Sequence, residues 1–543
     1  MRRLILAVAA ALAAILLAAC TGGDDGGIAK DASGKGSGGA APPPPAKGFE
    51  GGQPEQEGGA AQDQKGIAPT QKPDLLSTFG LDVDTASYSY ARRTIDSGRL
   101  PAPDTVRHEE FVNSFRHNYP QPEGNGFNLA TDGAQTGQDG WSLMRVGLAT
   151  KDVEPTRRPP ASLTFVVDVS GSMADPGRLD LVRDALHTAA GELRGDDSVA
   201  IVAFSDEART VLPMARVGDG GRDRMRDAVK ELQPTDSTNV EAGIRRGYDV
   251  AVDAAREGST NRVVLLSDAL ANTGATDADT ILDRIADARR AHGITLFGVG
   301  VGSDYGDAFM ERLTNRGDGH TSYVSDRTAA RRVFTEELPR HVELRARDAK
   351  AQVEFDGQTV ADYRLIGYDN RQVADKDFRN DAVDGGEIGP GHTVTALYAV
   401  RLKEGAAGHV ATATVRWLDP KTRAPHEKSS EIEAAALGGR LWGAAETSLQ
   451  VDALAAYFAD ALRGRSTSSD GSDPSAVPES AGPRTRSDAE PGTVPDGGTP
   501  LPLPGAPTVD ELVERSAALA GQTESRQVDE LAETVRKAAE VAG

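Results

Sequence analysis

The stretch "LTFVVDVSGSMADPG", Leu163–Gly177, decides the fold. Its first half is apolar and β-branched without a polar alternation, as a strand buried on both faces requires. It ends on Asp168, and the loop that follows carries Ser170 and Ser172. A turn accounts for Gly171 and a helix cap for one serine, but neither accounts for three oxygens at alternate positions. Gly171 is expected to permit a tight turn that points all three the same way.

Outward from this stretch, apolar strands and amphipathic helices alternate. "RLDLVRDALHTAAGEL" places Leu179, Val182, Leu186, Ala189 and Leu193 on one helical face, and "SVAIVAF" is the next strand. A shorter strand near Val211 and a helix around Met225 and Val229 precede the loop "LQPTDSTNV". Ile244, Tyr248, Val252 and Ala255 then line another helix. "NRVVLLSD" is a strand, "ADTILDRIADARRAHG" a helix stopped at Gly293, and "ITLFGVGVG" a strand. A helix near Met310 and Leu313, the strand "HTSYVS" and a helix near Phe334 complete the set. This pattern predicts an α/β, doubly wound, mostly parallel sheet over residues 159–338.

In such sheets ligands sit beyond the carboxyl ends of the strands. Asp168, Ser170 and Ser172 lie there, as does Asp268 at the end of "VVLLSD"; Thr238 in "DSTNV" opens a helix beside them. Two carboxylates and three hydroxyls are hard oxygen ligands. Mg²⁺ takes six oxygens at about 2.0–2.1 Å and keeps several waters. The five groups are therefore expected to hold Mg²⁺, or Mn²⁺ or Ca²⁺, with a position left for an incoming carboxylate. With only two acids, the bound ion stays partly positive and attracts an anionic ligand.

Asp-x-Ser-x-Ser after a strand, a later Thr and an Asp ending a further strand resemble the metal-ion-dependent adhesion site of von Willebrand factor type A (VWA) domains, shared with the integrin inserted domains. "FVVDVSGSM", "STNVEAGI" and "NRVVLLSDALANTG" match in order and spacing. The resemblance implies a VWA fold that binds a partner protein through a metal completed by the partner's Asp or Glu. Two departures stand out. Ala269 follows Asp268 where the family often has Gly, and "PTDSTN" lacks the usual Gly-Gly, so that Asp236 would sit close and weaken anion capture. Beyond the domain, "STFGLDVDTASYSYARRTIDSGRLPAPDTVRHEEFVN" and "YRLIGYDNR…GEIGPGHTVTALY" resemble the YfbK-like bacterial lipoproteins.

The flanks of the α/β region read differently. Residues 75–158 suggest a strand, two helices and the strand "GWSLMRVGLAT". Residues 339–465 alternate apolar and polar between turn signals, as antiparallel sheet does. The two flanks are expected to pack as one β-rich unit in which the α/β domain is inserted.

The remaining segments say where the chain works. "MRRLILAVAAALAAILLAAC" has two arginines, an apolar run and the single cysteine, the layout of an export signal over residues 1–19. "LAAC" resembles a lipobox, which implies lipidation of Cys20 and a membrane-tethered, extracytoplasmic protein. Residues 20–74 and 466–507 are rich in glycine, proline and small polar residues and are expected to be disordered linkers. Residues 508–543 carry helical spacing at Leu512, Ala518, Leu519, Val528, Leu531, Val535 and Ala538.

Composition excludes several classes. A net charge of −22 argues against nucleic acid and anionic lipid as broad-surface partners. One cysteine excludes an intramolecular disulfide. The 9 histidines form no His-x-x-x-His or Cys/His cluster, so zinc chemistry is expected to have no ligand set. "LDVDTAS", with Asp82 and Asp84, invites a phosphatase reading, but Thr85 sits one place too early for a phosphoaspartyl motif, and a structural turn is expected instead. "GVGVGSDYG" lacks the lysine of a phosphate-binding loop and reads as a strand end. Ser170 has no neighbouring histidine to activate it. The chain thus reads as a tethered protein-binding module with no catalytic residue and no small-molecule substrate. The alternatives are a metal-silent scaffold whose β-rich unit binds, and a metal-assisted envelope hydrolase.

Overall fold

A computed structural model describes residues 75–464 and 502–542, apart from 139, 153–157, 236, 257, 269–275, 303–306, 316, 318, 339, 341–342, 382 and 384. The export segment, Cys20, Asp236 and Ala269 therefore lie outside the described residues. Among those described, no helix is long and apolar enough to cross a membrane.

The chain enters through β1 (Leu76–Gly80), α1 (Ala86–Asp96) and α2 (His108–Asn113), then forms the hairpin β2 (Phe127–Gln135) and β3 (Trp141–Thr150). The α/β segment follows with β4 (Ala161–Asp168), α3 (Leu179–Glu192), β5 (Ser198–Phe204), β6 (Ala208–Arg216), α4 (Gly221–Lys230) and α5 (Val240–Asp253). It continues through β7 (Thr260–Ser267), α6 (Ala278–His292), β8 (Thr295–Val301), α7 (Asp307–Asn315), β9 (Thr321–Val324) and α8 (Arg327–Arg332). Six further strands close the sequence of sheets: β10 (Ala346–Phe355), β11 (Val360–Ile366), β12 (Gly386–Ile388), β13 (Thr393–Leu402), β14 (His409–Leu418) and β15 (Pro425–Glu433).

The central sheet has the order β6-β5-β4-β7-β8-β9, parallel throughout except for the antiparallel edge strand β6. Strands β4, β5 and β8 are buried along their whole length and β7 along all but its first residue, which is why they lack polar alternation. Successive side chains serve opposite faces. Phe165 and Val167 pack with Leu179, Val182 and Leu186 of α3, whereas Val166 packs with Ile244 and Tyr248 of α5. Close helix approach is built in at Gly247, where a Cβ would stand 2.3 Å from Val166. Gly293, at φ +61°, ends α6.

The flanks interleave as expected. β1 pairs with β10, and β3 with β13, so the α/β segment is an insertion between β3 and β10. The result is a sandwich of two antiparallel sheets, β1-β10-β14-β15 with β12 beside β10, and β11-β13-β3-β2. Phe79, Met144, Val146, Val353, Tyr398 and Val415 fill the space between them.

Several elements differ from the sequence expectation. β2, β12 and β15 were not foreseen, and residues 339–465 are not all sheet: they end in an 18-residue helix, Thr447–Gly464. That helix covers the outer face of β3 and β13, where Leu143, Leu397 and Ala399 meet Leu454 and Phe458. The C-terminal segment forms two helices, Val509–Gln522 and Arg526–Ala542. They are integral to the same core, since Leu512, Leu519, Leu531 and Val535 pack in the cluster that holds Phe111 and Tyr457. Ala518, assigned to the apolar face from its spacing, is exposed, and Ser516 is buried.

A candidate metal centre at the edge of the central sheet

The chain winds from β4 outward to β5 and β6, then returns to the other side of β4 with β7. The carboxyl ends of β4 and β7 are thus the point where the winding reverses, the usual crevice for a ligand in such sheets. Asp168 is the last residue of β4, and Asp268 directly follows β7, its parallel neighbour. Asp168, Ser170, Thr238 and Asp268 are all buried, and Ser172 is half-buried.

The first loop is held from within. Asp168 Oδ1 accepts the Ser170 N–H at 2.8 Å, and the Ser170 and Ser172 hydroxyl oxygens stand 3.1 Å apart. Two ligands at right angles on an ion with bonds of about 2.1 Å stand about 3.0 Å apart. The hydroxyl pair therefore suits one hard cation. Gly171 does not act as the sequence suggested. It lies outside the left-handed region, at the head of a short 3₁₀ turn, and a Cβ there would meet nothing closer than the Thr235 carbonyl oxygen at 3.5 Å. The turn comes from the Asp168 carboxylate capping the Ser170 N–H.

The second loop is tied to the first. Thr235 donates from its backbone N–H to the Val169 carbonyl at 2.6 Å, and Asn239 donates likewise to Ser205. The Asn239 side chain caps α5 by accepting the Ala242 N–H at 3.0 Å. Between them Ser237 sits at φ +61°, the left-handed region that glycine takes at no cost. This is the place where the sequence lacks the glycines common in the resembled motif. Thr238 is set by this kinked residue on one side and by the α5 cap on the other.

Two further residues enter the site that sequence reasoning missed. Ser267 donates its hydroxyl to Asp168 Oδ2 at 2.6 Å. Arg178, on the loop before α3, donates from Nη1 to Asp268 Oδ2 at 2.7 Å and is itself buried. Burial pushes the Asp168 carboxyl up to about 6; hydrogen bonds from Ser267 and Ser170 oppose the shift and the Asp268 charge adds to it. A buried acid in this state gains from a cation nearby. A carboxylate oxygen has two lone pairs, so one hydrogen bond does not by itself bar an ion. The donor set of Asp168, Ser170, Ser172, Thr238 and Asp268 fits a hard divalent cation, with Arg178 as an internal competitor at Asp268.

The acids of "LDVDTAS" lie elsewhere, beside His320. His320 is engaged with the Glu387 carbonyl oxygen at 2.6 Å and with Asp84. Asp82 accepts the Asp84 N–H at 2.9 Å, the turn that was expected, and both acids are buried beside His320, an imidazole that sequence spacing kept apart from them.

Comparison with known proteins agrees with this architecture. Residues 162–336 match the von Willebrand factor type A domain, residues 343–491 the C-terminal domain of the uncharacterized protein YfbK, and residues 56–142 a family described as von Willebrand factor. YfbK of Escherichia coli (strain K12) is 32% identical over 416 residues, 72% of this chain and 71% of that protein. Inter-alpha-trypsin inhibitor heavy chain H3 of Rattus norvegicus is 27% identical over 189 residues, 33% of this chain and 21% of that one. Among solved structures, a von Willebrand factor type A protein from Catenulispora acidiphila aligns with a TM-score of 0.41 at 14% identity, covering 64% of this chain and 80% of that chain.

Proposed function

We propose that this chain, which belongs to the YfbK family of von Willebrand factor type A proteins, captures a partner protein through a divalent cation at the β4–β7 crevice. Asp168, Ser170, Ser172, Thr238 and Asp268 hold Mg²⁺, or Mn²⁺ or Ca²⁺, and an Asp or Glu of the partner completes the shell. The observation that carries the proposal is the convergence of three separate loops on one crevice, with the Ser170 and Ser172 hydroxyls 3.1 Å apart. Lipidation of Cys20 tethers the chain on the extracytoplasmic face, and the task is adhesion or assembly of an envelope complex.

The test is a pull-down from envelope extracts with the mature chain. Capture is expected in Mg²⁺, to vanish with chelator, and to vanish in Asp168→Ala while the circular dichroism spectrum is kept. Capture that survives both treatments overturns the proposal. Tethering is tested apart from binding, by palmitate labelling of the chain beside Cys20→Ser; equal labelling of the two rejects it.

One observation favours a second reading. Arg178 already neutralises Asp268 at 2.7 Å, as it would in a scaffold that carries no ion. On that reading calorimetry with Mg²⁺ and Mn²⁺ shows no binding, and partner capture persists in Asp168→Ala.

A further inference from the structure

Away from the crevice, a second group of ligand atoms is assembled from two parts of the chain. Asp82 and Asp84 lie between β1 and α1, and His320 directly precedes β9 at the edge of the central sheet. All three are buried, and one ligand atom from each lies within 4.8 Å of the others. Asp82 Oδ1 accepts the Asp84 N–H at 2.9 Å, and Asp84 Oδ1 accepts the Thr321 N–H at 3.0 Å. Arg371 Nε donates to Asp82 Oδ2 at 3.2 Å, but its Nη2 stays 3.9 Å from Asp84 Oδ2.

The histidine decides what the group can hold. His320 Nε2 stands 2.6 Å from the Glu387 carbonyl oxygen. A carbonyl only accepts, so Nε2 carries the hydrogen and Nδ1 presents its lone pair. That lone pair faces Asp84 Oδ1, also an acceptor, at 3.3 Å. Two acceptors facing each other away from water need a positive centre between them. A hydrogen bond through a single shared proton spans about 2.7–3.2 Å. A tetrahedral ion with bonds of about 2.0–2.1 Å sets two ligands about 3.3–3.4 Å apart.

Asp84 supplies a second, independent sign. Its Oδ2 is buried and takes no hydrogen bond from the described residues. The residue lines a cavity of about 130 Å³ that also reaches Tyr88, Asn113, His320 and His392, which gives an ion an entry path and room for water. Arg371 bonds Asp82 directly and stands farther from Asp84.

We propose that Asp82, Asp84 and His320 form a second metal site, which takes a divalent transition ion of the Zn²⁺ class with water as a further ligand. Imidazole nitrogen with carboxylate oxygen suits such an ion better than Mg²⁺ or Ca²⁺. The ion clamps the segment between β1 and α1 to β9, fixing the inserted domain on the sandwich.

Zn²⁺ itself is the probe. The test uses the mature chain with Asp168→Ala and His409→Ala, which disable the β4–β7 crevice and an exposed His409, Glu431 and Glu433 group. Calorimetry is expected to count one Zn²⁺ per chain, and X-ray absorption to see one imidazole on it. Adding His320→Gln or the near-isosteric Asp84→Asn is expected to weaken binding at least tenfold and to abolish the zinc-dependent rise in unfolding temperature. Absence of a bound Zn²⁺, zinc without an imidazole ligand, or affinity unchanged in both variants overturns the proposal; a shared proton alone would give the first of these. Should both variants fail to fold, the stoichiometry and the imidazole signal of the parent chain decide.

Discussion

Arg178 reaches Asp268 across the crevice with Nη1 at 2.7 Å from Oδ2, and both side chains are shielded from water. The guanidinium compensates a charge that a bound ion would also compensate, so the two compete. Removing it takes the guanidinium from a buried carboxylate, a loss of up to about 3–5 kcal/mol in the metal-free protein. Arg178→Gln is therefore expected to unfold at lower denaturant without metal. The same variant is expected to bind Mn²⁺ at least tenfold more tightly, a gain of about 1.4 kcal/mol. Denaturation and Mn²⁺ titration on one preparation check both halves. Weaker binding in the variant would make Arg178 a residue that positions Asp268 for the ion.

Ser237 gives a backbone prediction. At φ +61° its Cβ costs about 1–2 kcal/mol relative to the right-handed region, and a β-branched side chain costs more. Ser237→Gly is expected to leave cation affinity intact and to change stability by less than about 1 kcal/mol, because relief of strain is offset by a freer unfolded chain. Ser237→Val is expected to lower stability by about 1–2 kcal/mol and to weaken cation binding, since Thr238 follows directly. Equal affinity in the two variants would show that Thr238 does not depend on this turn.

Asp197 governs the acid limb. Burial would raise its pKa, but two hydrogen bonds from Arg158 at 2.8 and 2.6 Å and the N–H groups of Ala161 and Arg194 hold it below the usual 3.8. A lowered folded pKa adds stability that is present above the unfolded value and lost as pH falls through the folded one. Stability of the wild type should therefore drop below about pH 4 more steeply than that of Asp197→Asn. At neutral pH, Asp197→Ala is expected to cost about 3–5 kcal/mol, because it strands Arg158 and loosens the entry to β4. Parallel urea curves from pH 7 to pH 2.5 separate the two effects.

What was legible in the sequence follows from burial pattern. β4, β5, β7 and β8 are enclosed on both faces, so their apolar runs were unbroken, and α3 buries one face, so its spacing showed. Asp168 and Asp268 stood out as candidates because each ends an apolar strand, Thr238 because it precedes a helix, and Ser170 and Ser172 because they repeat an oxygen at alternate places after Asp168. β2 escaped because "FNLATDGAQ" is mostly half-buried and alternates weakly, and β15 because "PHEKSSEIE" is an exposed edge strand. The helix Thr447–Gly464 escaped for the opposite reason: it is buried nearly all round and shows no polar stripe. Ser267 touches Asp168 only because β7 lies beside β4, and His320 meets Asp84 only because β9 edges the sheet against the segment after β1. Such contacts depend on strand order, which local patterns do not encode.

The C-terminal helices carry the last prediction. Leu531 is fully buried and Val535 nearly so, in the cluster that contains Phe111, Leu454 and Tyr457. Surface pairs add orientation, with Glu530 on Arg92 and Lys537 Nζ 2.8 Å from Asp96 of α1. Arg515 lies 4.6 Å from the Trp442 ring centre, and Tyr457 donates its hydroxyl to the Pro504 carbonyl at 2.8 Å. Leu531→Ala is expected to cost about 2–5 kcal/mol, the range for a large-to-small change in a packed core. A chain cut after Gly464 would expose the apolar face of the helix Thr447–Gly464 and should bind a hydrophobic dye as well as unfold at lower urea. A truncated chain with unchanged urea midpoint and no dye binding would make these helices an appendage. A lowered midpoint would require every assay of the crevice to keep residues 502–542, because a shortened chain would confound loss of metal with loss of fold.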